Sequence, residues 1–272
     1  MDDFLRNKLT LLIHSCDKFS DLWDAHIGLL NKNWPNRSVR TLLVTDLLPN
    51  KHYQNIDILA AGSGKEMTER IKSAIPQINT EYVLVTLDDY FPIYSIDERK
   101  IARLVEIMEN EGYDYIRLYS RPRSRLIKTK YKDLYEFTLD GSYRVNLYVG
   151  IWRKTFMAQT VRNELNAWNY EVSLTRIARE MNAKVAVSFG HEFDILDVVR
   201  KGQILYTANC YLKKHNLYHG ERSVRPISAE VKLWLRTSIS DIASAILPTS
   251  IFAKIKRILV KYGLIRSFSA SE

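Results

Sequence analysis

The chain has 272 residues, of which 46% are apolar and 26% charged; this is the balance of one sizeable folded domain, with or without an appendage. Its net charge of +9 lies wholly at one end: residues 1–199 hold 27 Lys/Arg and 27 Asp/Glu, whereas residues 200–272 hold 13 and 4. Two distant cysteines, Cys16 and Cys210, exclude a disulfide scaffold and have no metal-site spacing, and no run of 18 uncharged apolar residues predicts a membrane-spanning helix.

Residues 1–8 are acidic where a signal peptide is basic, so the expectation is a chain that is not secreted and whose thiols stay reduced in the cytoplasm. Residues 9–15 read as a first strand. Phe19, Leu22, Trp23, His26, Leu29 and Leu30 recur at helical spacing, predicting a helix over 18–31 with Asp17 placed to cap it. Residues 39–45 and 56–60 read as strands, and 66–75 as a helix after the Gly62-Ser63-Gly64 loop. This loop is not a Walker phosphate loop, because Leu59 stands where the first Gly is required and Glu66 where a Ser or Thr is.

Residues 82–87 are a short, β-branched apolar run, which predicts a buried strand. It ends in adjacent carboxylates, Asp88 and Asp89. Residues 97–111 predict a helix closed by Gly112, and 115–119 another strand. From 120 to 142 the periodicity dissolves into a basic stretch, either a solvated loop or a phosphate grip. Residues 144–152 read as a strand, 153–164 as a short helix, 166–182 as a turn and helix, and 184–189 as a last strand.

Strands alternating with helices predict an α/β domain with a mainly parallel sheet. In such sheets ligands sit beyond the carboxyl ends of the strands. Asp88 and Asp89 at such an end suit a hard cation carrying a phosphate, though a plain turn is the simpler alternative. Past Asp197 the character changes. Val231, Trp234, Leu235, Ile239, Ile242 and Ile246 predict an amphipathic helix stopped near Pro248. A second follows over 251–262, with Lys254, Lys256, Arg257 and Lys261 on its polar face. Basic amphipathic helices lie in membrane interfaces; packing on the domain or on a second subunit, in a homo-oligomer, is the alternative.

Four pieces carry a family resemblance: Ser15-Cys16-Asp17-Lys18-Phe19; Gly64 to Arg70 together with Tyr82 to Phe91; Val149 to Lys154; and Ala167-Trp168-Asn169-Tyr170-Glu171. In this order the chain resembles bacterial nucleotide-sugar-dependent glycosyltransferases of the GT-A fold, and more narrowly the small enzymes of O-antigen and capsular polysaccharide clusters. The resemblance implies a GT-A-like, Rossmann-like mixed, mainly parallel sheet flanked by helices over residues 1–200. A basic helical amphipathic extension over 201–272 follows it.

By the same resemblance Ser15 and Asp17 face the nucleotide base, Thr68 and Arg70 lie beside the donor, and Arg70 has the geometry for a diphosphate. Asp88-Asp89 stands for the family's Asp-x-Asp motif. Asp89 is then the ligand of a manganese or magnesium ion, Asp88 hydrogen-bonds the ribose or a sugar hydroxyl, and His191 completes the metal site. Glu171 is the general base of an inverting transfer, while Trp168 and Tyr170 stack on the acceptor sugar. The implied donor is a UDP-sugar. The implied acceptor is a hydroxyl of a polysaccharide or lipid-linked glycan, met at the inner face of the plasma membrane through an anionic lipid surface under residues 228–266.

Two other readings are weighed. A metal-dependent nucleotidyltransferase would show a Gly-rich loop after the first strand, where this chain has Ser15 to Phe19 without glycine. A non-catalytic binding protein at the membrane, built on the same fold, is separable only by activity. Nucleic acid is not an expected partner, because the basic region lacks interleaved aromatics.

Overall fold

The computed structural model describes residues 2–123 and 125–246. In chain order the elements are α1 (Asp2–Lys8), β1 (Leu9–His14), α2 (Ser20–Asn33), β2 (Arg40–Thr45), β3 (Asp57–Ala60), α3 (Met67–Ala74), β4 (Tyr82–Leu87) and β5 (Tyr90–Pro92). They continue with α4 (Glu98–Glu111), β6 (Tyr115–Arg117), β7 (Leu126–Lys128), β8 (Leu134–Phe137), β9 (Gly150–Arg153), α5 (Lys154–Thr160) and α6 (Ala167–Glu180). The last are β10 (Val185–Ser188), β11 (Ile195–Asp197), β12 (Val199–Arg200), β13 (Gln203–Ile204), α7 (Tyr206–His215) and α8 (Ile227–Ile246).

Nine strands form one sheet in the order β3-β2-β1-β4-β9-β6-β10-β8-β7. β9 and β8 run against the others. The sheet is therefore mixed and mainly parallel, the α/β, Rossmann-like arrangement expected. Side chains alternate across it because successive Cβ atoms point to opposite faces. Leu9, Leu11 and Ile13 meet Trp23, Ile27 and Leu30 of α2 and the Ile101-Leu104-Val105-Met108 face of α4 on one side. Leu12, Val83 and Val85 meet Met67 and Ile71 of α3 and Tyr170 and Leu174 of α6 on the other. Each such fully buried aliphatic side chain is worth about 1.5–3 kcal/mol.

Parallel pairing fixes the functional edge. His14 is in register with both Val44 and Leu87, so Ser15, Thr45 and Asp88 come level, with Asp46 one residue beyond. The Ser15 N–H donates to Val44 O at 3.0 Å and that of Asp88 to His14 O at 3.4 Å. A third apolar cluster extends this edge outward: Leu22, Ala25 and Leu29 of α2 pack with Phe91, Val198, Ile204, Leu205, Ala208 and Leu212. The chain thus continues to pack on the domain past residue 200.

Several expectations changed. Residues 144–149 are not strand, because side chains of α6 take up their backbone donors: Thr175 Oγ1 accepts from Arg144 N at 2.8 Å, and Glu171 Oε1 from Leu147 N at 3.3 Å. The stretch 120–142 is not patternless, since β7 and β8 form a hairpin added to the sheet through β10. Part of its basic character serves the fold: Lys130 pairs with Glu111 at 2.7 Å. The short pieces α1, β5, β11, β12, β13 and α7 were not expected. Pro248 and the helix expected over 251–262 lie outside the described residues. No described helix is long and apolar enough to cross a membrane.

One glycine is fixed by crowding. A Cβ on Gly150 would stand 2.8 Å from Tyr115 Cε2 and 3.0 Å from Ile116 O. Gly150→Ala is therefore expected to lower unfolding free energy by about 1–3 kcal/mol, the cost of overpacking. A lower urea midpoint at unchanged slope is the check.

Candidate active site at the carboxyl edge

β4 delivers two carboxylates that meet different surroundings. Asp88 turns inward, where its Oδ2 accepts a hydrogen bond from the Ser15 hydroxyl, which itself accepts from Trp23 Nε1 at 2.7 Å. Its carbonyl faces His26 Nδ1 at 3.1 Å. Burial pushes the Asp88 carboxyl up to about 7, against these hydrogen bonds.

Asp89 has a fixed backbone, because its carbonyl accepts from Val198 N at 2.9 Å. Its Oδ1 is buried and has no hydrogen-bond partner among the described residues. Burial, then the neighbouring charges of Asp88 and Asp197, raise its carboxyl well above the usual range. An uncompensated carboxylate in low dielectric is costly unless a cation answers it. Asp89 therefore fits a hard divalent ion. Among the described residues no three His, Cys, Asp or Glu side chains converge as a ready cage, so phosphate oxygens and waters would complete the shell, as such ions accept.

A second group faces the same space. Asp197, at the end of β11, is in register with Tyr90 of β5. Arg200 Nε and Nη2 both reach its Oδ2, at 2.9 and 2.8 Å, and Nη2 also donates to the Tyr148 hydroxyl at 3.1 Å. The Tyr148 ring stacks between Tyr119 (centroids 4.3 Å apart) and Tyr90 (5.5 Å). Glu171 stands in the first turns of α6, whose N-cap Asn166 accepts from Asn169 N at 2.9 Å. Burial raises the Glu171 carboxyl, opposed by its bond from Leu147 N and by the charge of Arg200. Burial raises the Tyr90 phenol, and the charges of Asp89, Tyr148, Asp197 and, least, Glu171 add to it.

The remaining expected residues divide. Asp17 and Asp46 exchange backbone-to-carboxylate bonds at 3.0 and 3.1 Å, and Arg70 Nη1 holds Asp46 at 2.9 Å and bonds the Lys65 carbonyl. This network borders the same strand ends. Arg70 Nε is buried without a partner.

Thr68, expected beside the donor, is 1% exposed. Its hydroxyl donates to Asn163 O at 2.7 Å and accepts from Leu165 N at 2.8 Å, fastening α3 to the loop before α6. Tyr170 is corrected as a stacking platform: it is 1% exposed and its hydroxyl bonds Thr160 Oγ1 at 2.6 Å. Trp168 stands half exposed at the start of α6. The side chain of His191 is 75% exposed and contacts Asp194 at 3.0 Å, while the acidic neighbours of Asp89 are Asp88 and Asp197.

Sequence reading missed Asp197, Arg200 and Tyr148. The available signal was the Asp197-x-x-Arg200 spacing after a short apolar run, but nothing in the chain order places it beside β4.

No protein-family model and no curated protein matches the chain. Among solved structures it is similar to the bifunctional IspDF of Campylobacter jejuni, at 13% identity and a TM-score of 0.41, covering 70% of this chain and 52% of that one. It is similar to S. aureus TarS at 14% identity and a TM-score of 0.48, covering 97% and 44%. A UDP-glucose pyrophosphorylase complexed with UDP-glucose is similar at 11% identity and a TM-score of 0.48, covering 76% and 99%. The chain thus spans about half the length of the first two.

Proposed function

We propose that the chain is a glycosyltransferase of hexosyltransferase type. In this reading it moves a sugar from a nucleoside-diphosphate donor, a UDP-sugar, to a hydroxyl of a glycan or lipid-linked glycan. One observation carries it: Asp89, whose buried Oδ1 has no hydrogen-bond partner among the described residues, follows directly on the end of β4, where ligands of such sheets sit, and both it and Glu171 act on the buried Tyr90 phenol. A diphosphate needs a cation on one side of the reacting carbon, and an acceptor hydroxyl needs a base on the other.

The roles follow from each side chain's surroundings. Asp89 would hold a manganese or magnesium ion, which when bound offsets the charge of the leaving diphosphate. Asp88 is engaged by Ser15 and holds the strand end in shape. Arg70, already oriented by Asp46, lies toward the donor. Glu171 takes the proton as the acceptor oxygen attacks the anomeric carbon. The bond to the leaving oxygen breaks on the opposite face, so the transfer inverts. The charge of Arg200 opposes the rise that burial causes in the Glu171 carboxyl. The absence of glycine between Ser15 and Phe19 disfavours the nucleotidyltransferase alternative. The catalytic unit runs through α7, whose Ala208 and Leu212 pack with α2, and the chain beyond it is an extension that works at the cytoplasmic face of the membrane, where a lipid-linked acceptor is found.

A thermal-shift screen tests the donor side without a known acceptor. A nucleoside diphosphate with manganese at about 100 times its Kd adds about 2.7 kcal/mol, and a rise in melting temperature of several degrees is expected. The corresponding monophosphate should raise it less. No shift with any nucleoside diphosphate, with or without metal, would remove the reading.

A further inference from the structure

Residues 143–148 have a strand's composition and a different backbone. Tyr143 stands at φ +60°. A bulky aromatic residue enters this left-handed region only where its surroundings over-determine it. Here they do. Asn146, 1% exposed, donates from Nδ2 to Tyr143 O at 3.0 Å and accepts on Oδ1 from Tyr148 N at 3.1 Å. Arg144 N donates to Thr175 Oγ1 at 2.8 Å, and Leu147 N to Glu171 Oε1 at 3.3 Å, both on α6. One buried amide and one helix therefore hold Tyr143 and Tyr148 on the two sides of a loop tied to Glu171.

The two tyrosines are differently employed. The Tyr148 ring lies between Tyr119 and Tyr90, and its hydroxyl accepts from Arg200. The half-buried Tyr143 side chain is not engaged in this way: among the described residues its hydroxyl has no hydrogen-bond partner and its ring no aromatic partner. Burial and then the charge of Glu171 raise its phenol, so the field of that carboxylate reaches the ring. A strained backbone that no contact of its own side chain repays points to a ligand.

Position and chemistry select the ligand. The loop feeds β9, and β4 separates β9 from β1 and β2, whose ends carry the Asp17, Asp46 and Arg70 network. The loop thus lies away from the side given to the donor. A pyranose has an apolar face of ring C–H groups and a rim of hydroxyls. The negative face of an aromatic ring takes the first, and a carboxylate, which only accepts hydrogen bonds, takes the second.

We propose that Tyr143 is the platform on which a sugar ring stacks, with one hydroxyl of that sugar turned to Glu171. It fills the role that Tyr170, in the core, does not. Naming this sugar the acceptor rests on the glycosyltransferase reading; the stacking itself does not.

The test uses the full chain with UDP and manganese and the methyl glycosides of glucose, galactose, mannose and N-acetylglucosamine, read by saturation-transfer NMR. At least one glycoside is expected to receive saturation on the ring C–H protons of one face. Tyr143→Asn should weaken its binding by about fivefold or more and keep the UDP melting shift. Asparagine accepts a left-handed backbone more readily than tyrosine, so this variant should melt no lower than wild type. If it does not fold, Tyr143→Gly takes its place. Tyr143→Phe keeps the ring and should bind within about twofold of wild type. No saturation of any glycoside, unchanged binding in a folded Tyr143→Asn, or a Tyr143→Phe as weak as Tyr143→Asn would overturn the inference. So would loss of the UDP shift in Tyr143→Asn, which would assign the ring to the nucleobase. Glycoside binding that depends on Tyr143, without any nucleoside-diphosphate shift, would leave the platform in place and remove the transfer reading alone.

Discussion

Glu171→Gln is expected to lower kcat by about 10²–10⁴-fold, the range general-base catalysis supplies, while the nucleoside-diphosphate melting shift is retained. Glutamine keeps the size of the side chain and can still accept from Leu147 N, so the loop 144–149 stays tied to α6. Only proton abstraction is lost. The pH profile gives an independent readout. The base works ionised, and burial raises the Glu171 carboxyl above the ordinary glutamate range. Wild-type kcat should therefore fall as pH drops through that raised value, giving an acidic limb above the usual carboxylate region. In the variant that limb should vanish. Turnover within about tenfold of wild type, with the limb intact, would assign the base to another residue.

The strand end that holds this chemistry was legible in the sequence because it depends on local pattern. Residues 82–87 form a strand within the expected bounds, and Gly112 closes α4 as read, while Asp97, read as its first residue, is its N-cap. What was hidden depends on tertiary exchange. Arg144 to Val149 looks like a strand, but its N–H groups find partners on α6 instead of a neighbouring strand, and this carries Tyr148 to the cleft. Thr68 and Tyr170 look available in a linear motif, yet one is spent on the backbone of Asn163 and Leu165 and the other lies in the core. The charges of Asp197 and Arg200 act on Asp89 because β11 pairs with β5, two strands of three residues each that periodicity cannot register. Helix α8 shows the opposite case: Val231, Trp234 and Leu235 form a readable apolar face, but the sequence does not say that all three stand exposed.

Asp89→Asn is expected to abolish transfer and, in the absence of ligands, to make the protein more stable. The two effects share one cause. Asp89 Oδ1 is buried without a partner among the described residues, and the charges of Asp88 and Asp197 add to the burial that raises its carboxyl, against the smaller effect of Arg200. Removing a buried charge that lacks a hydrogen-bonded counter-ion relieves about 1–3 kcal/mol, and at about 2–4 °C per kcal/mol for chains of this size class the melting temperature should rise on the order of 2–12 °C. The sign with pH follows by linkage. The folded protein holds the Asp89 proton more tightly than the unfolded chain does, so wild-type stability falls as pH rises toward and through that raised value. Asparagine has no such dependence, and the difference should be widest in alkaline buffer and close below about pH 4. Manganese with a nucleoside diphosphate should then reverse the order, because the cation answers the wild-type carboxylate and finds no charge on the amide. A variant that melts lower than wild type at pH 8 without ligands would mean that Asp89 already has its counter-charge within the protein. Asp89 would then be a structural carboxylate, and the cation the cleft requires would have to be Arg200.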